Sequence, residues 1–217
     1  MPEKVTARRP SEPSPPRGIL RAPRPDGLLD GRRILPSTAL ASHVHHFWHV
    51  RWSLRSPFTA ETLPHPSMQI MAVHASGRSR AELLGVPTGR LTRTLAGEGQ
   101  VFGIAFRPAM FQPLLQGSMA RFTDRIVPLA RALGPTAKEW TRALHAARDT
   151  DAKIALAEAF LAGLLPPVGQ PLARLRDLVE RVATDRSLVR VEDLCGLAGL
   201  DARGLQRAFR TYVGVSP

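Results

Sequence analysis

The stretch VRVEDLCGLAGLDARGLQRAFRTYVGVSP, residues 189–217, most strongly limits what this chain can fold into. As a helix, residues 201–212 have an apolar face, whose members are Leu205, Ala208, Phe209 and Tyr212. The opposite face is polar and carries Arg203, Gln206, Arg207 and Arg210. Side chains three and four residues apart share a helix face, so the apolar face predicts a packing partner.

The residues just before this helix predict that partner. Residues 191–198 form a second short helical pattern, in which Cys195 is small enough to let another helix approach closely. Gly199 suits the left-handed backbone of a tight turn, Leu200 is expected to fill the turn, and Asp201 is a good N-cap. Two short helices joined in this way predict a helix-turn-helix, whose second helix enters the major groove of DNA.

The rest of the chain predicts an α+β protein. Residues 1–35 are rich in proline and arginine and predict a disordered arm. Residues 36–120 contain runs that suit short strands, namely 43–54, 67–76 and 99–108, and predict a small β barrel or roll. Within this region Gly97-Glu98-Gly99 predicts a hairpin turn.

Residues 121–168 have helical spacing and predict a helical connector, followed by an all-α segment over 170–217. The connector helices carry large apolar side chains at 138–165, including Trp140, Leu144, Ile154, Phe160 and Leu161. Packing of these side chains on the sheet is the simpler interpretation. A seam between two copies is the alternative, since many readers of two-fold DNA sites are homodimers.

Composition narrows the environment and the partners. The formal net charge is +12, which favours a polyanionic partner, although almost all of the basic residues are arginine. The sequence has no apolar run long enough to cross a membrane and no secretory signal, so we expect a cytoplasmic protein without a membrane partner. The single cysteine, Cys195, agrees with a reducing compartment.

We expect neither an enzyme nor a metal site. No nucleophile elbow, zinc-protease motif or phosphate-binding loop is present in the sequence. His43, His45 and His49 share a face of the predicted strand, but no Asp or Glu lies between Gly31 and Thr59 to join them. We therefore expect ordinary strand histidines, with no metal and no cofactor. Trp48 and Trp52 are expected in the core, and the lining of a barrel pocket is the alternative.

The segment LCGLAGLDARGLQRAFRTYVGVSP resembles the first helix-turn-helix of the AraC/XylS family of bacterial transcription regulators. The resemblance is carried by Leu194, Gly199, Leu200, Leu205, Gln206, Arg207, Phe209 and the final Gly-Val-Ser-Pro. More weakly, the stretches HVHHFWHVRW, VFGIAFRPAMFQPLL and FTDRIVPLARALG resemble the poorly characterised N-terminal domain that often precedes this unit. Together the resemblance covers about residues 36–217.

The resemblance implies a regulator that binds promoter DNA in response to a small effector. It implies that Arg203, Gln206 and Arg207 contact bases, with Arg210 on a phosphate. Arginine can bind guanine O6 and N7, and glutamine can bind adenine N6 and N7, so the residue types suit these roles.

Members of the family continue past the Gly-x-Ser-Pro with a linking helix and a second helix-turn-helix. This sequence stops at Pro217, so we expect the DNA-binding unit, residues 170–217, to be truncated after its first motif. The alternative function is an effector-binding or dimerisation module that lacks competent DNA binding.

Overall fold

The computed structural model describes residues 25–217 and confirms the α+β class. The strands are β1 (Gly27–Ile34), β2 (Val44–Thr62), β3 (Gln69–Ala75), β4 (Arg78–Leu84), β5 (Leu91–Phe106) and β6 (Ile126–Pro128). They form one antiparallel sheet in the order β1-β2-β5-β3-β4-β6. This sheet is open, with β1 and β6 at its edges, so the described strands do not close into the predicted barrel.

The helices follow the sheet in the chain. They are α1 (Leu129–Leu133), α2 (Pro135–Ala146), α3 (Thr150–Ala162), α4 (Gln170–Thr184), α5 (Val191–Ala198) and α6 (Ala202–Ala208). A 3-10 turn, Met119–Phe122, lies between β5 and β6, and a π-helical turn, Phe209–Val213, continues α6. Local sequence explains several helix starts: proline occupies the first turn of α2 and α4, and the Asp149 side chain accepts from Ala152 N at the start of α3.

The predicted disordered arm, residues 1–35, extends too far towards the C-terminus. Residues 27–34 of it form β1, and residues 1–24 lie outside the described residues. β1 pairs along its length with β2, and Leu29 packs against the apolar cluster around Trp52. Backbone pairing with β2 satisfies the polar groups on one side of β1, so this edge strand forms without an apolar composition of its own.

Two tryptophans of β2 lie opposite glycines of β5. The register pairs Trp48 with Gly103 and Trp52 with Gly99, and both indole rings occupy the space that a Cβ of the glycine would fill. The predicted hairpin turn at 97–99 is therefore wrong, because these residues continue β5 opposite 52–54. Trp52 is buried, and Trp48 donates to Gln69 Oε1 at 3.2 Å, so both pack on the sheet.

The main core lies between one face of the sheet and helices α2 and α3. It contains side chains from both layers, among them Phe47, Ile70, Ile104, Trp140, Leu144, Ile154 and Leu161. The helix residues considered as a dimer seam are therefore packed within the chain. Trp140, Leu144 and Leu161 are 6%, 1% and 0% exposed, so this apolar surface is not available to a second copy.

A second core joins the last three helices to the segment that follows β5. Leu175 and Val179 of α4, Leu194 of α5 and Leu205 of α6 are buried together in it. Met110, which belongs to the sheet-containing part of the chain, is fully buried in the same cluster. The helical region is therefore packed directly onto the sheet region and is not joined to it by a free linker.

The Trp–Gly pairs predict a stability difference between two glycine substitutions. Gly103→Ala should lower the free energy of unfolding by about 1–3 kcal/mol, because the new methyl group would overlap the Trp48 ring. Gly89→Ala is the matched control, since nothing lies within 4 Å of a Cβ there. Urea denaturation of both variants measures the difference, and equal stabilities would show that the pairing does not constrain β5.

Candidate nucleic-acid interface

Helices α5 and α6 are joined by a connection of three residues whose geometry follows from their types. Gly199 is left-handed, with φ of 64°, and its N–H bonds Cys195 O at the end of α5. The Asp201 carboxylate accepts from Gly204 N at 2.7 Å and caps α6. The glycine and the N-cap lie at the positions that the sequence predicts. Leu200 fills the turn only in part: its side chain lies 3.7 Å from the position of a Cβ at Gly204, but it is 42% exposed.

The helical residues 202–213, here called the α6 segment, bury one face. Leu205, Phe209 and Val213 are 0%, 5% and 1% exposed, and they pack against α4, α5 and Met110. Tyr212, predicted on this apolar face, is 36% exposed, because the π-helical turn adds a residue to the last turn and changes the direction of the side chains after Phe209.

The predicted DNA-contact residues lie together on the outside of the α6 segment. All four are exposed: Arg203, Gln206, Arg207 and Arg210. Within residues 25–217 none of the three arginines forms an ion pair with a carboxylate. The neighbouring acids are bound elsewhere, since Asp193 accepts from Arg190 N and Asp201 accepts from Gly204 N. The face therefore presents uncompensated positive charge and one amide, which can meet phosphates and base edges.

The end of the α6 segment is held by the 3-10 turn beside the sheet. Ser118 Oγ donates to Arg210 O at 2.8 Å, and Thr123 Oγ1 donates to Gly214 O in a short hydrogen bond. Gly214 has φ of 107°, and a Cβ there would lie 3.3 Å from Met119 O, so glycine allows the close approach. Two hydroxyls thus satisfy carbonyls that a helix end leaves without partners.

A cavity of about 600 Å³, here called the junction cavity, opens where these two parts meet. Its lining comes from both sides: residues 64–66, 86–88, Ala120, Thr123, Arg210 and 214–216. Five of its twelve lining residues are proline or valine, and its polar side chains include His65 and the cation Arg210. Its volume lies within the range of small-molecule pockets, which is about 300–1,000 Å³. The sequence suggests a pocket only as the alternative role of Trp48 and Trp52, and nothing in it points to the junction cavity, because the lining comes from segments far apart in the chain.

The histidines of β2 lie in two environments. His49 is buried, with Nδ1 2.8 Å from Thr150 Oγ1 and Nε2 3.1 Å from Gln100 Oε1. His45 and His46 face Arg33, whose Nη2 lies 3.0 Å and 3.1 Å from their Nδ1 atoms. Guanidinium only donates hydrogen bonds, so both Nδ1 atoms act as acceptors towards Arg33. Among residues 25–217, no group of three or more His, Cys, Asp or Glu side chains is placed to hold a metal ion.

Burial lowers the pKa of these histidines. Desolvation, followed by the charge of Arg33, lowers the pKa of His45 to about 4 and that of His46 to about 3. Desolvation is also the main cause of the lowered pKa of four others, which are His43, His49, His65 and His145. At neutral pH the folded protein therefore keeps these imidazole rings uncharged.

Stability should consequently fall in mild acid. The unfolded chain binds protons near the ordinary histidine pKa of 6.5, whereas His45 in the folded chain binds one only near pH 4. Protonation thus favours the unfolded state as pH falls from 6.5 towards 4. The urea midpoint should decrease from pH 7 to pH 5, and His45→Gln should decrease this dependence. A midpoint that is constant over this range would contradict the lowered pKa values.

The hydroxyl contacts at the end of the α6 segment should be measurable by hydrogen exchange. Ser118→Ala combined with Thr123→Val should speed exchange of the Val213 and Gly214 amides by about fivefold to thirtyfold, as expected for the loss of one or both of two hydrogen bonds worth about 1 kcal/mol each. The matched control is Ser79→Ala, which removes an exposed hydroxyl 2.8 Å from His74. Unchanged exchange at 213–214 would show that these contacts do not hold the segment.

No helix of residues 25–217 has the length and apolar character that crossing a membrane requires.

Residues 32–128 match a family model described as Domain of unknown function (DUF6597). This match begins in β1 and ends with β6, so it covers most of the sheet and the 3-10 turn but excludes all six helices. No curated protein and no solved structure matches the chain.

Proposed function

We propose that this chain is a sequence-specific DNA-binding transcription regulator of the AraC/XylS kind, in which α5 and α6 act as a helix-turn-helix. The single observation that carries the proposal is the exposed polar face of the α6 segment above a buried apolar face. Arg203, Gln206 and Arg207 would read base edges in the major groove, and Arg210 would bind a phosphate. Such a regulator would act in the cytoplasm by controlling promoter occupancy and needs no catalytic group.

The uncompensated charge of this face supports the proposal. An arginine that is paired with a carboxylate must give up that ion pair when it binds DNA. The arginines at 203, 207 and 210 form no ion pair with a carboxylate of residues 25–217, so binding DNA breaks no such contact. The packing of Leu205 and Phe209 supports it further, because a base-reading helix must be held at a fixed angle by the body that carries it.

The effector of such a regulator would occupy the junction cavity. Its lining combines loops of the sheet with Arg210 and residues 214–216, so a bound molecule would touch both the sheet region and the DNA-contact segment. Binding there can change DNA affinity only to the extent that the ligand prefers one position of the α6 segment over another.

Substitutions at two arginines separate base reading from phosphate binding. The first step selects bound duplexes from a random library and measures them by fluorescence anisotropy against scrambled duplexes. Arg207→Ala should weaken binding to the selected duplex by about 1–3 kcal/mol and flatten the sequence preference. Arg210→Ala should weaken both duplexes alike and decrease the slope of log affinity against log salt by about 1.

The control for this experiment is Arg78→Ala, an exposed arginine at the start of β4 and away from the α6 segment. It should leave both the sequence preference and the affinity nearly unchanged. If Arg207→Ala behaves like this control, Arg207 does not read bases. If selection enriches no sequence at all, the chain is not a sequence-specific reader.

A second candidate function is ligand binding without DNA binding, and the junction cavity is the observation that favours it. In that case the chain would bind a small molecule between the sheet and the α6 segment, and the arginine face would stay solvated. Two results together would favour this second function over the first. Duplex selection would fail, and a small molecule would stabilise the chain but not the Ala120→Trp variant, whose new side chain would fill the cavity.

A further inference from the structure

A second concentration of positive charge lies outside the proposed DNA-contact face. Between Gly117 and Lys138 the chain has three arginines and a single acid, Asp124. That carboxylate is bound away from the arginines, because it accepts from Thr88 N at 2.7 Å and from Thr88 Oγ1 at 2.6 Å. These hydrogen bonds lower the pKa of Asp124, which stays ionised while facing Thr88.

The three arginines, Arg121, Arg125 and Arg131, line one cavity of about 370 Å³. We call it the arginine cavity; Phe122, Val127 and Ala132 complete its lining. All three arginines are exposed, and none forms an ion pair with a carboxylate in the described part of the chain. The cavity thus combines guanidinium groups that have no anion with a small apolar floor.

The backbone positions of these arginines are fixed by the sheet and its turns. Arg125 O accepts from Gly85 N and Arg125 N donates to Phe122 O, both at 2.9 Å. The Arg121 guanidinium lies over the Phe122 ring, 4.7 Å from its centroid, in a cation–π contact. Arg131 lies in α1, directly after β6. Three neighbouring elements therefore bring cations to one place, and the contact with Phe122 orients the guanidinium of Arg121.

We infer that the arginine cavity binds a small phosphorylated molecule. Planar guanidinium groups match phosphate oxygens in pairs, and several around one phosphate neutralise its charge. A volume of about 370 Å³ accommodates a phosphate or pyrophosphate group with a small organic body, which would contact Phe122 and Val127. The apolar side chains beside the arginines favour a ligand with an organic body over the phosphates of a duplex, which are bound by charged and polar donors alone.

The site also adjoins the end of the α6 segment. Arg121 and Phe122 belong to the 3-10 turn whose other residues are Met119, which lies against Gly214, and Ala120, which lines the junction cavity. The inference does not depend on DNA binding, because the arginine cavity and the polar face of the α6 segment share no residue.

Calorimetric titration of the full chain with inorganic pyrophosphate and inorganic phosphate, at constant ionic strength, tests the inference. Saturable binding of one pyrophosphate per chain is expected. Arg121→Gln, Arg125→Gln and Arg131→Gln should each weaken it about tenfold or more, since each removes a charge-assisted hydrogen bond. Arg51→Gln, Arg55→Gln and Arg78→Gln are matched controls, because these arginines are equally exposed but lie on β2 and β4.

The outcomes separate this site from general charge and from DNA. Equal weakening by the controls would overturn the inference, since binding would then depend on net charge alone. Absence of saturable binding of either anion would also overturn it. If neither anion binds but the triple glutamine variant loses affinity for duplex DNA, the arginines contact the DNA backbone instead. Retained pyrophosphate binding in Arg207→Ala, whatever that variant does to DNA binding, would support an independent site.

Discussion

The burial of Met110 in the core of the last three helices holds the two parts of this chain together. Met110 comes four residues after β5 and is fully buried with Leu205 and Phe209 of the α6 segment. Nearby, Arg107 donates to Ala41 O and to Glu180 of α4, both at 2.6 Å. Without this packing the apolar face of the α6 segment would be partly exposed to solvent. The segment would then be less stable, because short helices depend on tertiary contacts for stability.

This arrangement gives the outer face of the α6 segment a fixed orientation relative to the sheet. The 3-10 turn Met119–Phe122 lies between three features: the end of the α6 segment, the junction cavity and the arginine cavity. A ligand in either cavity would contact this turn or its neighbours. The turn is therefore shared by the two cavities and by the contacts at the end of the α6 segment.

Sequence reasoning succeeded where structure depends on neighbours along the chain. The left-handed Gly199 and the N-cap at Asp201 follow from residue types within a few positions, and so does the exposure of Arg203 and Arg207. It failed where the partner is distant. The local sequence of Gly99 predicts a turn, but its role is set by Trp52 on another strand, and the local sequence of β1 does not predict a strand, because its stability comes from pairing with β2.

Local sequence is sufficient to predict the α+β class, the two-faced pattern of residues 201–212 and the sites at which α5 ends and α6 begins. Tertiary structure decided that the sheet stays open, that Trp140 and Leu144 pack inside the chain, and that Ser118 and Thr123 hold residues more than 90 positions away. Helix faces and caps depend on spacings of three to five residues, which a sequence displays directly. Cavities and charge clusters arise where distant segments meet, and no local pattern specifies which segments those are.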